Sequence, residues 1–246
     1  MQIPVRIVLV ETSHPGNIGA TARAMRTMGL AELALVRPRA EFPSEAATAR
    51  AAGADDILSS ARVCAALEDA VGDCGWVVGA SARLRSIVVP VVNPRECAET
   101  IWTQLPGNRV AMLLGNEQSG LTNEDLARCQ QLVHIPTTPE FGSLNLAMAA
   151  QVLCYELRMA APSRPGPVGP QRDAPLATAA DLDALHEHLE RLLTDSGFLH
   201  PAHQKQVKLK LRRIFQRAEL DQNEISILRG LLGSLAPARS WEKREP

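Results

Sequence analysis

Val110-Ala-Met-Leu-Leu-Gly-Asn-Glu-Gln-Ser-Gly-Leu-Thr122 opens on five apolar residues and then breaks on a glycine. A run without polar alternation has both faces buried, the mark of an internal strand in a parallel sheet. The strand ends at Gly115, so Asn116 and Glu117 stand at its carboxyl end, where open α/β sheets bind ligands. Gly120 then turns the chain towards an acid-rich helix beginning near Asn123. A P-loop is excluded, because no Gly-Lys-Ser/Thr element follows. Turn chemistry accounts for the glycines but not for the Asn116-Glu117 pair.

Working outward, similar apolar runs at Val5–Val10, Leu33–Arg37, Trp76–Gly79 and Gln131–Ile135 are predicted strands. Helices are expected near Ile18–Gly29, Ser44–Gly53, Arg62–Val71, Pro94–Gln104, Asn123–Cys129 and Ser143–Met159. This alternation predicts an α/β domain over residues 1–160 around a largely parallel buried sheet. Ala161-Pro-Ser-Arg-Pro-Gly-Pro-Val-Gly-Pro170 cannot hold helix or sheet and opens a linker, 161–178. Residues 179–246 then carry three apolar stripes at helical spacing: Leu182, Leu185, Leu189, Leu192 and Leu193; Val207, Leu211, Ile214 and Phe215; Ile225, Leu228, Leu232 and Leu235. They read as a small all-α domain.

The chain has 246 residues, of which 46% are hydrophobic, enough for a substantial core. Charges interrupt every apolar stretch before a membrane-spanning length of about 20 residues. The N-terminal stretch lacks a signal-peptide layout, and the expectation is a cytoplasmic protein without membrane contact. The five cysteines lack a CxxC pair and read as reduced, mostly buried thiols. No metal site is expected: His186-Glu-His188 and His200-Pro-Ala-His203 lack cysteine partners. Net charge is −1, so nucleic acid must be met by a local patch, and 3% aromatic content argues against a base-stacking platform.

Two further stretches could carry chemistry. His14-Pro-Gly-Asn-Ile-Gly-Ala-Thr-Ala-Arg23 follows the first strand and opens a helix, where glycines admit a ligand to backbone amides. Ile18, Ala22, Met25 and Gly29 form the buried stripe, and Arg23 points about 140° away from it. Alone, the stretch is more simply read as a cap at Asn17 and a solvated arginine. Gly16-x-x-Gly19-x-x-Ala22 has the wrong spacing for a dinucleotide fingerprint, even with Arg37 ending the second strand. The other stretch is Ile135-Pro-Thr-Thr-Pro-Glu-Phe-Gly-Ser-Leu-Asn145, with Ser143 at the expected N-cap position and Asn145 a poor helix former in the first turn.

Together, Asn17–Arg23, Gly115-Asn-Glu-x-x-Gly120 and Ile135–Asn145 closely resemble the three signature motifs of the SPOUT RNA methyltransferases, TrmH-like 2′-O-ribose branch. The opening Ile7-Val-Leu-Val-Glu-Thr-Ser-His14 and the stretch Arg212-Arg-Ile-Phe-Gln-Arg-Ala-Glu-Leu220 with Ile227-Leu-Arg-Gly230 resemble the TrmJ group. The resemblance implies an α/β, SPOUT-type parallel sheet with a deep C-terminal trefoil knot, plus the small helical domain. It implies S-adenosyl-L-methionine as methyl donor, held by Ala80-Ser81-Ala82, Gly115, Asn116, Glu117, Ile135 and Gly142-Ser143-Leu144. It also implies a homodimer with shared sites, tRNA as partner rather than DNA, and the 2′-hydroxyl of cytidine or uridine at nucleotide 32 of the anticodon loop as target. Arg23, Ser143, Asn145 and Asn17 become the catalytic candidates.

A ribose hydroxyl must lose its proton as its oxygen attacks the sulfonium methyl in line. The family assigns activation to the arginine, here Arg23. A guanidinium has no acceptor lone pair, so alkoxide stabilisation and phosphate grip suit it better. His14 is an alternative base on the same loop. Lys205, Lys208, Lys210, Arg212, Arg213 and Arg217 follow one another without an intervening acid, a ridge suited to tRNA phosphates or, more blandly, a solvated helix face. The competing functions are 2′-O-methylation of ribosomal RNA, RNA binding without turnover and, more distantly, a nicotinamide enzyme.

Overall fold

The structure is a computed structural model that describes residues 2–82, 89–161, 174–199 and 204–235. The expected histidine pair His200/His203 and most of the linker lie outside them.

β1 (Val5–Val10) runs through the middle of the domain, with the side chains of Val5, Ile7 and Leu9 on one face and Val8 and Val10 on the other. Its neighbours are β2 (Leu33–Val36) and the Val110–Leu114 strand introduced above, which becomes β6 once β3 (Arg62–Cys64), β4 (Trp76–Ala80) and β5 (Val91–Val92) are counted. With β7 (Gln131–Val133) they make a seven-stranded sheet in the order β3-β2-β1-β6-β4-β7-β5, every pairing parallel. The expected parallel α/β domain is therefore present.

Helices cover both faces, which is why the strands read as continuous apolar runs. α1 (Pro15–Met28), α2 (Glu45–Ala51), α3 (Asp55–Ser59), α5 (Pro94–Gln104) and α7 (Leu146–Met159) lie on the Val5/Ile7/Leu9 side. α4 (Leu67–Val71) and α6 (Asn123–Leu126) lie on the other. Gly19 lets α1 and α2 meet: a Cβ there would come within 1.9 Å of the Ala47 carbonyl oxygen. Close packing of the two helices therefore requires glycine at position 19.

Several expected boundaries shift. Arg62–Val71 is an edge strand followed by a one-turn helix, because three residues are too few to display strand alternation. β5, of two residues, and α3, of five, are likewise too short to show a period in the sequence. Gly29 is not part of the buried stripe of α1; at φ 84° it ends the helix with a left-handed cap. The strand expected to reach Ile135 stops at Val133, and the helix expected to reach Cys129 stops at Leu126. All five cysteines are free and buried, as read.

In the C-terminal part of the chain, α8 (Ala179–Asp195), α9 (Gln204–Ala218) and α10 (Gln222–Leu235) pack around Leu182, Leu185 and Ile225. Ile214 and Leu235, placed in the stripes above, are exposed instead. The helices dock on the α4/α6 side: the Ala179 and Ala180 amides donate to the carbonyls of Cys74 and Gly72, and Arg128 donates to both Asp183 oxygens at 2.7 and 2.6 Å. Among the described residues no helix is long and apolar enough to cross a membrane.

Candidate active site

β6 ends against a turn so tight that a Cβ on Gly115 would lie 2.2 Å from the Leu121 amide nitrogen. Only glycine fits there. Asn116 is buried and closes the turn: its Nδ2 donates to the Glu11 carbonyl at 2.8 Å, and its Oδ1 accepts from the amides of Gln118 and Ser119. Glu117 then points back towards α1. One oxygen accepts from both the amide and the hydroxyl of Ser13, at 3.0 and 2.8 Å; the other accepts from Asn17 Nδ2 at 2.8 Å. Burial raises its pKa, but the hydrogen bonds from Asn17 and Ser13 outweigh this and hold it below the usual glutamate value.

The chain of contacts continues. Asn17 Oδ1 accepts from Asn145 Nδ2 at 3.0 Å, and Asn145 Oδ1 accepts from the amides of Ala147 and Met148. Two expected caps are thereby corrected. Asn17 does not cap α1: His14 occupies that position with no side-chain bond, and Pro15 provides the first-turn geometry. Ser143 does not cap α7; Asn145 does, two residues later, which is the work its amide does in place of helix formation. The three motifs thus meet through Glu117, Asn17 and Asn145, with 100 positions of chain between Asn17 and Glu117 and 128 between Asn17 and Asn145.

Two concavities flank this path. The first opens at the carboxyl ends of β4, β6 and β7, and every position expected to hold the donor lines it: Ala80, Ser81 and Ala82, then Gly115, Asn116 and Glu117, then Ile135, Gly142, Ser143 and Leu144. Leu114, Leu121 and Val133 add apolar wall. The Ser81 loop is fixed from β7, since the Ser81 amide donates to the Val133 carbonyl and His134 Nδ1 lies 3.0 Å from the Ser81 carbonyl. Asn116 and Glu117 offer backbone to this pocket, because their side chains are committed to the scaffold.

The second concavity, on the α1 side, is lined by His14, Asn17, Arg23, Arg50 and Asn145. The catalytic candidates are therefore divided: Ser143 faces the first pocket and Arg23 the second. Sequence reasoning missed Ser13, His134 and Arg50. Ser13 carried a signal, a hydroxyl directly past a strand end, but its carboxylate partner lies far along the chain.

The basic helix is partly neutralised. Lys205 pairs with Glu124 at 2.7 Å, Lys208 with Glu190 at 2.9 Å and Arg212 with Asp183 at 2.5 Å. Lys210, Arg213 and Arg217 have no carboxylate partner among the described residues. The acids come from α6 and α8, so a count along α9 could not find them. No group of metal-ligating residues occurs among the described residues.

A parallel sheet with a glycine-bounded pocket at its strand ends, joined to a docked helical bundle, defines the class. Residues 4–155 match the SpoU rRNA methylase family model, and the chain belongs to that family. Residues 180–245 match the C-terminal domain of the tRNA methyltransferase TrmJ. The chain is 50% identical over 237 residues to the tRNA (cytidine/uridine/adenosine-2′-O-)-methyltransferase TrmJ of Pseudomonas aeruginosa, covering 93% of this chain and 92% of that one. It is 46% identical to the tRNA (cytidine/uridine-2′-O-)-methyltransferase TrmJ of Photorhabdus laumondii, covering 98% of each. The crystal structure of TrmJ from Z. mobilis superposes with a TM-score of 0.85 at 35% identity, over 94% of this chain and 98% of that one. The resemblance read from the motifs is borne out.

Proposed function

We propose that this protein methylates the ribose 2′-hydroxyl of a pyrimidine nucleotide in tRNA, with S-adenosyl-L-methionine as donor and nucleotide 32 of the anticodon loop as target. The observation that carries the reading is the Glu117–Asn17–Asn145 path, which ties all three motifs into one site between a glycine-bounded pocket and an arginine-bearing groove. Similarity to tRNA 2′-O-methyltransferases along almost the whole chain supports it, and the match over residues 180–245 favours tRNA over ribosomal RNA.

The first pocket suits the donor. Small residues at Ala80, Ala82 and Gly115 leave room beside backbone groups, while Leu114, Leu121 and Ile135 provide an apolar enclosure for an aromatic ring. The bound donor supplies an electrophilic methyl on a sulfonium. Ser143 stands at the pocket wall, where its hydroxyl can orient the ribose. Arg23, exposed in the neighbouring groove, stabilises the oxygen as negative charge develops and holds the adjoining phosphate. Asn17 and Asn145 act as positioning residues, their amides already bonded to each other.

The same reading includes a homodimer. Ser143 and Arg23 face different concavities within one chain, and exposed Met148, Tyr155 and Met159 recur on one side of α7 beside the arginine groove. A partner copy covering that side would bring its own arginine to this donor pocket. It includes a deep trefoil knot as well, a reading supported by the strand order, in which β6 returns between the earlier β1 and β4, and β7 between β4 and β5. The division into 1–160, 161–178 and 179–246 and a cytoplasmic site of action complete the proposal. Lys210, Arg213 and Arg217 are its tRNA-facing cations, with Lys205, Lys208 and Arg212 able to exchange carboxylates for phosphates.

The test is transfer of labelled methyl to unmodified tRNA transcripts with the product nucleotide mapped. A 2′-O-methylated nucleotide 32 is expected. Donor binding without any transfer to tRNA would overturn the substrate, and absence of donor binding would overturn the enzyme. Adenosine belongs among the bases tested, because the P. aeruginosa relative's name includes it.

A further inference from the structure

We propose that Arg50, on α2, is a second phosphate-holding cation of the RNA groove, setting substrate affinity while Arg23 serves the reacting oxygen. This deepens the reading of the protein as a tRNA methyltransferase and rests on it.

Residues 2–82 contain seven arginines and no lysine. Four are committed to carboxylates: Arg6 to Asp73 and Glu32, Arg26 to Asp56, and Arg37 and Arg39 to Glu11. A fifth, Arg62, donates to the Asp69 carbonyl. The remaining two, Arg23 and Arg50, have no carboxylate partner among the described residues, and these are the two that line the groove. Both are solvent-exposed. A surface that pairs its other arginines and leaves two free cations facing one concavity fits an anion supplied from outside.

The packing explains how Arg50 reaches that place. α2 lies directly on α1, at a separation that only glycine at position 19 permits. The Arg50 stem consequently passes over the first turn of α1, with its Cγ 3.6 Å from where a Cβ on Gly16 would stand. A cation in the last turn of a helix is favoured by the helix dipole in any case. That favours a positive charge at the end of α2, but does not account for a side chain that lines the same groove as Arg23. Two guanidiniums in one groove can each grip a backbone phosphate bidentately, which positions a strand without reading its sequence.

Arg50→Gln keeps the stem over Gly16 and removes the charge. In steady-state methyl transfer to an unmodified tRNA transcript, the expected result is a KM for tRNA raised about tenfold. The kcat and the KM for the methyl donor should stay within twofold of wild type. The slope of log affinity against log salt should become shallower by about 0.7, the loss of one single-strand phosphate contact. Arg50→Lys, which restores the charge without the bidentate fork, should recover the salt slope and part of the affinity, whereas Arg62→Ala, which removes the same charge away from the groove, should leave KM and slope unchanged. An unchanged KM and slope in Arg50→Gln would overturn the inference while leaving the methyltransferase reading intact, as would a fall in kcat at constant KM. Absence of methyl transfer by the wild-type protein would remove both together.

Discussion

Replacing Glu117 by glutamine changes no volume, yet it should break the hydrogen-bond order of the whole site. The carboxylate accepts three donors: the amide and hydroxyl of Ser13 on one oxygen and Asn17 Nδ2 on the other. Glutamine has one oxygen. If it faces Ser13, its amide nitrogen meets Asn17 Nδ2, donor against donor. Asn17 can reverse its amide to accept, but it then presents Nδ2 to Asn145 Nδ2. Asn145 cannot reverse in turn without surrendering the cap it provides to Ala147 and Met148 at the start of α7. If glutamine turns the other way, its nitrogen meets the Ser13 backbone amide, which cannot reverse at all.

Each arrangement loses one charge-assisted bond and leaves a donor opposed or a helix uncapped, worth about 1.5–3 kcal/mol where the groups are buried. Glu117 is only partly buried, which places the cost near 1.5 kcal/mol. The diagnostic is the pair Glu117→Gln with Asn17→Asp. An aspartate at 17 accepts from glutamine on one oxygen and from Asn145 on the other, restoring a consistent direction throughout. Asn17→Asp alone sets two carboxylates face to face and should also destabilise. Urea unfolding of wild type, both single variants and the double variant should give a favourable coupling of about 2 kcal/mol, accompanied by recovery of donor affinity. Additive effects, or a Glu117→Gln protein within about 0.5 kcal/mol of wild type, would refute the account of the site as one directional chain.

Arg23→Ala should reduce turnover by at least about a hundredfold, the scale of removing a donor to a developing oxyanion, while isothermal titration shows donor affinity unchanged. Neutralising Lys210, Arg213 and Arg217 together should weaken tRNA binding and flatten its salt dependence more than neutralising Lys205, Lys208 and Arg212, whose charges are already paired; equal effects in filter binding would reject the distinction. His186 is buried against Phe215 and its pKa is pushed down to about 4 by desolvation and the nearby Arg212. It is neutral in both folded and unfolded chains above about pH 6.5, but below that pH only the unfolded chain takes the proton, so stability falls until the folded group titrates near pH 4. The cost should reach about 2 kcal/mol at pH 5, measured as the excess acid destabilisation of wild type over His186→Leu by urea unfolding at pH 7 and pH 5.

The parallel sheet was legible because its internal strands carry apolar residues on both faces, so β1, β2, β4 and β6 announce themselves without alternation. Edge elements were not: Arg62–Cys64 and Val91–Val92 are too short for any period, and a mixed sequence around Arg62 passes equally for helix. Site residues were legible as positions and illegible as roles. Every residue expected at the donor lines one pocket, whereas local propensity alone would make Asn17 and Ser143 helix caps. The competing influence is a contact with Glu117, a hundred residues away from Asn17. The partial pairing of the basic ridge was hidden in the same way, since charge along α9 is visible in its own sequence and the acids of α6 and α8 that meet Lys205, Lys208 and Arg212 are not.

The polar residues of the three motifs divide by what remains of their bonding capacity. Asn116 spends its amide on the Glu11 carbonyl and the turn amides, and Glu117, Asn17 and Asn145 spend theirs on Ser13, on one another and on α7. A side chain so engaged is fixed in orientation and holds β6, α1 and α7 in register, while the second Nδ2 hydrogen of Asn17 and of Asn145 can still be offered to a substrate. Arg23 differs: it is exposed and has no carboxylate partner among the described residues. Loss of a register residue should therefore lower stability, donor affinity and turnover together, whereas loss of Arg23 should lower turnover and leave stability and donor affinity unchanged. That separation distinguishes a site whose motifs are mainly scaffold around one cation from a site in which every motif residue touches the reacting groups.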